Sequence, residues 1–169
     1  MIEWILIILL GLFPLGVMIF IIIPFLFGAS FEASDKDSVE RMIRLSGVKK
    51  GERVVDLGSG DGRLVIEFAK KGAYVMGYEI NPLLVLWSRM KIKKEKLEDN
   101  AKIIWKSFWK VELDDYDIIS VFQISYLMGR LEEKLKGLKK GSKIISNNWK
   151  FPNWPLKKQE EKIYLYVKT

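Results

Sequence analysis

With 169 residues, the chain has room for one compact domain and a short appendage, and its 28 Lys and Arg against 21 Asp and Glu leave a formal net charge of +7. It contains no cysteine and no histidine, which excludes a disulfide framework, thiolate metal sites, a cysteine nucleophile and histidine acid–base chemistry. The expectation is that no metal is bound. The lysine-rich excess favours anionic lipid headgroups over nucleic acid as a partner.

Trp4 to Phe31 contains no charged side chain. A helix over Trp4 to Ala29 would be roughly 39 Å long at about 1.5 Å per residue, more than the ~30 Å hydrocarbon core of a bilayer. Residues 1–31 are therefore expected to form one N-terminal transmembrane helix, tilted or kinked at Pro14 or Pro24. Gly28-Ala29-Ser30 offers small residues for signal cleavage, but the run is too long for a signal peptide and Glu3 stands where Lys or Arg would be needed. Lys36, Arg41, Arg44, Lys49, Lys50 and Arg53 all follow the span. That asymmetry predicts a single-pass protein whose following domain is cytoplasmic.

Residues 32–50 read as a linker and a short amphipathic helix, with Ser38 as its cap and Val39, Met42 and Ile43 on one face. The domain proper is expected over residues 51–169. Val54-Val55-Asp56-Leu57 has the composition of a buried parallel strand, Gly58-Ser59-Gly60-Asp61-Gly62 that of a sharp turn, and Leu64 to Lys71 that of a helix. A second strand, Tyr74 to Glu79, ends in an acid 19 residues after Gly60. Asn81-Pro82 then opens a helix over Leu83 to Leu97, whose end, Arg89 to Lys96, is a charge run read as a solvated face. Further strands are predicted over Lys102 to Lys106, Asp117 to Phe122 and Lys143 to Ser146, with a helix over Leu127 to Lys136. Trp105 and Trp109 read as packing residues. Asn147 to Pro155 forms an aromatic loop, and Ile163 to Val167 alternates as a final antiparallel strand whose usual partner looks abbreviated or absent. The fold class is α/β: a Rossmann-like, doubly wound, mostly parallel sheet with an antiparallel last strand.

Spacing separates the nucleotide-binding possibilities. Arg63 stands where G-x-G-x-x-G needs its third glycine, and no G-x-x-x-x-G-K-[ST] occurs. The pattern present, Asp56-x-Gly58-x-Gly60-x-Gly62, resembles motif I of the class I S-adenosylmethionine (SAM) methyltransferases. That resemblance implies SAM as cofactor and an abbreviated class I fold. Asp56 would meet the ammonium group, and Gly58, Ser59, Gly60, Asp61 and Gly62 would cradle the methionine part. Glu79 would take the ribose hydroxyls, flanked by Ile80 and Asn81, while Ser107, Phe108 and Phe122 would border the adenine. Many relatives carry an acid at the position of Ser107, so the hydroxyl is a departure.

Four pieces carry a closer resemblance: motif I itself, Gly77-Tyr78-Glu79-Ile80-Asn81-Pro82 with Ser88-Arg89, Leu131-Glu132-Glu133-Lys134-Leu135, and Phe151-Pro152-Asn153-Trp154. Motif I is shared by much of the superfamily, and the pieces Gly77 to Pro82 and Phe151 to Trp154 narrow the match. Together they resemble the membrane-anchored seven-strand protein-lysine methyltransferases acting on the ATP synthase c-subunit and the adenine nucleotide translocase, with their archaeal relatives. The implied reaction is methyl transfer to a lysine ε-amine of a protein substrate. An amine of pKa about 10.4 is neutral only about four times in ten thousand at pH 7, so desolvation beside positive charge must lower that value. Gln123, Tyr126, Asn147 and Trp149 are the candidates for positioning the amine, with Phe151 and Trp154 lining its path. Nucleic acid is not expected as substrate: no cysteine serves C5-cytosine chemistry, and no Asn-Pro-Pro-aromatic motif follows the fourth strand. The rival readings are a lipid-like or quinone-like acceptor and a membrane-tethered SAM-binding protein without turnover.

Overall fold

The computed structural model describes residues 10–14, residue 16 and residues 34–169. The chain divides into two compact units, Met1–Phe31 and Glu32–Thr169. In the first, residues 10–14 and 16 are helical. The expected transmembrane anchor lies mostly outside the described residues, and no helix among those described is long and apolar enough to cross a membrane.

The second unit is a three-layer α/β domain. In chain order it contains α1 (Lys36–Ser46), β1 (Arg53–Leu57), α2 (Arg63–Lys70), β2 (Tyr74–Glu79), α3 (Pro82–Lys94), β3 (Ala101–Trp105) and β4 (Ile118–Val121). It continues with α4 (Met128–Lys134), β5 (Lys143–Asn147), β6 (Lys158–Glu160) and β7 (Ile163–Val167). The seven strands form one sheet in the order β3-β2-β1-β4-β5-β7-β6. The first five in the chain run parallel, whereas β7 is antiparallel to both β5 and β6. Chain order reverses between β1 and β4, which opens a crevice at the carboxyl ends of those strands.

The period of two along each strand divides the core. Val54, Val75, Ile103, Ile118 and Ile145 face α1, α2 and α3, where Met42, Val65, Phe68 and Ile92 complete one apolar layer. Val55, Leu57, Ile119, Val121 and Ile144 face the other side, with Met128, Leu131 and Leu135 from α4 and its continuation. Burial on both faces explains why β1 and β4 read as nearly continuous apolar runs, interrupted after Arg53 only by Asp56 and Ser120.

At the edges one expectation is corrected and another is narrowed. The cap of α1 is Asp35, not Ser38: the Asp35 carboxylate accepts from the Ser38 backbone N–H at 2.9 Å and from its hydroxyl at 2.7 Å, so the helix starts two residues before Ser38. The partner of β7, expected to be abbreviated or absent, is abbreviated: it is three residues long. Its residues Lys158, Gln159 and Glu160 pair with Leu165, Tyr164 and Ile163, and ion pairs from Arg44 to Glu160 (2.6 Å) and Arg41 to Glu161 (2.9 Å) tie it to α1. A charged edge strand needs no buried face, so it carries no apolar alternation to be recognised.

Gly62 caps α2 at φ +77°, and a Cβ there would sit 2.7 Å from Cβ of Ser88 on α3. Gly62→Ala combines left-handed strain with a clash against a packed helix, so we expect it to lower stability by about 1–3 kcal/mol. A denaturant titration that leaves the midpoint unchanged would refute this packing.

Candidate active site

The carboxyl ends of β1 and β2 carry the two acids on which the site is built. Asp56 is buried, and the parallel register places it opposite Ser120 on β4, whose hydroxyl donates to Oδ1 at 2.6 Å. Burial pushes the Asp56 carboxyl up to about 7, against the Ser120 hydrogen bond, and the negative charges of Glu79 and Asp61 push in the same direction. Glu79, also buried, accepts from the backbone N–H of Gly60 at 2.9 Å through Oε2 and from those of Ile80 (2.8 Å) and Asn81 (2.7 Å) through Oε1. Among the described residues no cation pairs with either acid.

The glycine turn links them. Gly58 (φ +92°) and Ser59 both donate to the carbonyl of Tyr78, at 2.9 and 3.0 Å, which stitches the end of β1 to β2. A Cβ on Gly58 would lie 2.6 Å from Nε2 of Gln123, and one on Gly77 would lie 2.5 Å from Cδ1 of Ile103 and 2.7 Å from Cβ of Ser59. The Ser59 hydroxyl is a buried group without a hydrogen-bond partner, an acceptor and donor left open in the wall of the turn.

Asp61 behaves differently from its two neighbours. Its carboxylate bonds Arg63 through Nε (2.9 Å) and Nη2 (3.0 Å) and Lys91 through Nζ (2.8 Å). Despite burial, those hydrogen bonds and the Lys91 charge hold its carboxyl down at about 2. Asp61 thus ties the turn to α3. The charge run is accordingly not wholly solvated: Lys91 is used here, and Arg89 donates to the Ile103 carbonyl on edge strand β3 at 3.0 and 2.8 Å.

The remaining predicted residues fall in three places. Asn81 uses its side chain to cap α3, accepting from Leu83 at 3.0 Å, so only its backbone and that of Ile80 face Glu79. Ser107 precedes a 3-10 turn over Phe108–Lys110, where the buried Phe108 ring meets Trp109 at 4.8 Å, and Phe122 is half-buried just after β4. Trp105, expected to pack, is instead exposed and donates its indole N–H to the Ile80 carbonyl at 2.9 Å.

On the other side of β1, the Gln123 amide donates to the Leu57 carbonyl at 2.9 Å and so touches the turn itself. Asn147 ends β5, buried, and donates to the Ser34 hydroxyl at 2.9 Å. Trp149 and Tyr126 are exposed, whereas Phe151 is only 4% exposed and packs edge-on against Trp154 (5.7 Å) and Tyr166 (5.1 Å). The structure therefore brings Gln123 to the turn and Asn147 to the neighbouring strand end, and uses Phe151 as core beneath the loop.

Sequence reasoning missed two residues. Ser120 is a lone hydroxyl in an otherwise apolar strand, and that oddity was a usable signal. Ser34 also accepts from Nη1 of Arg63 through its carbonyl at 2.6 Å, so the segment before α1 is fastened to both the glycine turn and β5. Contacts between residues 29 and 113 positions apart leave no local trace.

Two buried acids without a counter-charge, beside a turn of glycines with an open hydroxyl, suit a cationic ligand that also brings hydroxyl groups. No cluster of three His, Cys, Asp or Glu side chains suited to a metal occurs among the described residues. Sheet order, glycine turn and strand-end acids define a class I methyltransferase fold. The chain belongs to the ANTKMT methyltransferase domain family, whose profile matches residues 56–158.

Similar proteins include the human ATP synthase c-subunit lysine N-methyltransferase, 35% identical over 73% of this chain and 53% of that protein. Mouse adenine nucleotide translocase lysine N-methyltransferase is 32% identical over 78% and 58% respectively. A protein-lysine N-methyltransferase of Saccharolobus islandicus is 29% identical over 76% and 87%. The chain thus spans just over half the length of the animal relatives. Among solved structures, an RNA methyltransferase from Salinibacter ruber in complex with S-adenosyl-L-homocysteine superposes with a TM-score of 0.76 at 25% identity, over 82% of this chain and 93% of that one.

The raised Asp56 value has a measurable consequence. Its folded-state value lies above the usual 3.8, so the folded protein holds a proton that the unfolded chain has lost between about pH 4 and about pH 7. Stability from this group is present below pH 4 and lost as pH rises through 7. We expect Asp56→Asn to flatten the decline of unfolding free energy across that window; equal slopes in the two proteins would contradict the assignment.

Proposed function

We propose that the protein is a SAM-dependent methyltransferase that acts on the ε-amine of a lysine in a protein substrate. The observation that carries the cofactor assignment is the pair Asp56 and Glu79, buried and cation-free in a chain of net charge +7. A buried acid without a cation is costly to ionise; a cationic ligand relieves that cost at Asp56, and its hydroxyl groups add donors to the backbone partners of Glu79. The lysine assignment is supported by the lysine N-methyltransferase activity for which the three similar proteins above are named.

Bound SAM supplies an electrophilic methyl group on a sulfonium. Asp56 takes the ammonium group, and the Ser59 hydroxyl together with the backbone of Gly58 and Gly60 receives the methionine part. Glu79 keeps its three backbone hydrogen bonds and uses remaining lone pairs for the ribose hydroxyls. Ile80, Ser107, Phe108 and Phe122 border the adenine. Gln123, held by the Leu57 carbonyl, and Asn147, held by Ser34, orient the lone pair of the incoming amine. Trp149 and Tyr126, both exposed, shield the approaching side chain from water, which favours the neutral amine. The proton leaves through solvent, and positioning accounts for most of the rate. Residues 1–31 anchor the chain in a membrane, with the domain on the cytoplasmic side.

A second reading, methylation of RNA, is supported by the likeness to the Salinibacter RNA methyltransferase. Incubation with methyl-labelled SAM, the cognate membrane fraction and total RNA separates the possibilities. Label recovered as methyl-lysine in protein is the expected outcome. Label in RNA or in solvent-extractable lipid would replace the substrate assignment, and SAM binding without any transfer would favour a non-catalytic role.

Two sets of variants follow. Glu79→Gln should weaken SAM binding about tenfold or more, in line with the ~1.5–3 kcal/mol of a hydrogen bond to a charged group. Asn147→Ala and Trp149→Ala should lower kcat about tenfold or more while cofactor affinity is retained. Full transfer by both of the latter, with normal SAM affinity, would remove them from the substrate site.

A further inference from the structure

Helix α3 is apolar on two opposite sides. Val85, Ser88 and Ile92 face the core, whereas Leu83, Leu86, Trp87 and Met90 recur at i, i+3, i+4 and i+7 on the far side, each at least 52% exposed. Isolated exposed apolar residues are ordinary; four large ones on one stripe mark a surface that something covers. Trp105, 64% exposed, extends the patch at the head of the helix, where its indole N–H is held by the Ile80 carbonyl.

The stripe continues into positive charge. Lys93 and Lys94 lie on the same side in the last turn, and Lys96 follows. None of these three pairs with a carboxylate among the described residues. Glu95 turns away to Lys70 at 3.4 Å, and Glu98 and Asp99 come only after the helix has ended. An apolar stripe containing tryptophan and ending in free lysines fits the boundary between headgroups and acyl chains, where each basic residue adds about 1 kcal/mol on an anionic surface. A second copy of the chain is a poorer occupant, because it would bring +7 against +7.

We propose that this face of α3, with Trp105, lies in the headgroup region of an anionic bilayer. The inference rests on the membrane part of the function proposed above. It adds an orientation: the head of α3 follows closely on Glu79, so docking by this face holds the carboxyl edge of the sheet, and with it the methyl-transfer site, close to the bilayer surface. Substrate lysines would then be those that emerge within a short distance of the membrane.

The absence of cysteine allows a direct test in the 169-residue chain. Nitroxide labels are placed at Leu86→Cys and Met90→Cys, and at Glu133→Cys on the exposed side of α4 as a reference. Each protein is reconstituted into phosphatidylcholine vesicles with and without phosphatidylglycerol. Collision with oxygen and with a water-soluble nickel chelate is then measured. In the anionic vesicles, labels at 86 and 90 should gain oxygen over nickel accessibility by about tenfold relative to 133, and by less in neutral ones. Labels at 86 and 90 as open to nickel as the reference, on a chain that floats with the vesicles, would overturn the docking face alone. Shielding from both reagents would mean a protein covers the helix and would equally overturn it. A chain that fails to float would overturn both this inference and the membrane anchor, leaving lysine methylation to be judged by the labelled-methyl assay.

Discussion

Placing a carboxylate at the buried end of the central strand costs the fold free energy, and the rest of the site is arranged around that cost. Asp56 receives one hydroxyl, from Ser120 at 2.6 Å, and no cation among the described residues. Burial and two neighbouring acids then keep its proton bound up to about 7. A structural acid would have been given a partner, as Asp61 was with Arg63 and Lys91. These two acids, five residues apart, thus differ: one is left without a salt-bridge partner among the described residues, and the other holds the turn together.

The glycine turn follows from the same requirement. Its backbone must pass between the ends of β1 and β2 closely enough to donate to Tyr78 and Glu79 at once, and side chains at Gly58 or Gly62 would collide with Gln123 or Ser88. Around this core the outer supports are long-range: Ser34 joins the segment before α1 to Arg63 and Asn147, and Arg89 closes the open edge of β3. The turn and both acids thereby lie at one end of a sheet that is packed on both faces.

The legible parts were those with a local signature. Strand β7 lies over Ile163 to Val167 and runs antiparallel as expected, β1 and β4 read as buried runs, and the spacing of Asp56, Gly58, Gly60, Gly62 and Glu79 located the turn and both acids. What escaped depends on contacts between distant residues or on edges that need no pattern. Asp35 outcompeted Ser38 as a cap because the acid lies three residues earlier, where it reaches the free N–H of Ser38. Strand β6 is charged and exposed, so nothing in Lys158-Gln159-Glu160 marks it. Lys91 looked like one solvated charge among several until the fold set it beside Asp61. Phe151, read as lining a path, is buried, and its ring meets Tyr166 edge-on.

The central claim is that Asp56 is a protonated acid waiting for a cation, and calorimetry of proton exchange tests it most directly. S-adenosylhomocysteine, which carries the same ammonium group, would be titrated into the protein at pH 6 in buffers of differing ionisation enthalpy. Pairing with the ammonium requires the ionised carboxylate, so binding should release close to one proton at pH 6, fewer as pH rises past 7, and none in Asp56→Asn. Binding that exchanges no proton at pH 6 would mean that Asp56 is already ionised or does not meet the ligand, and would contradict the proposed organisation of the site.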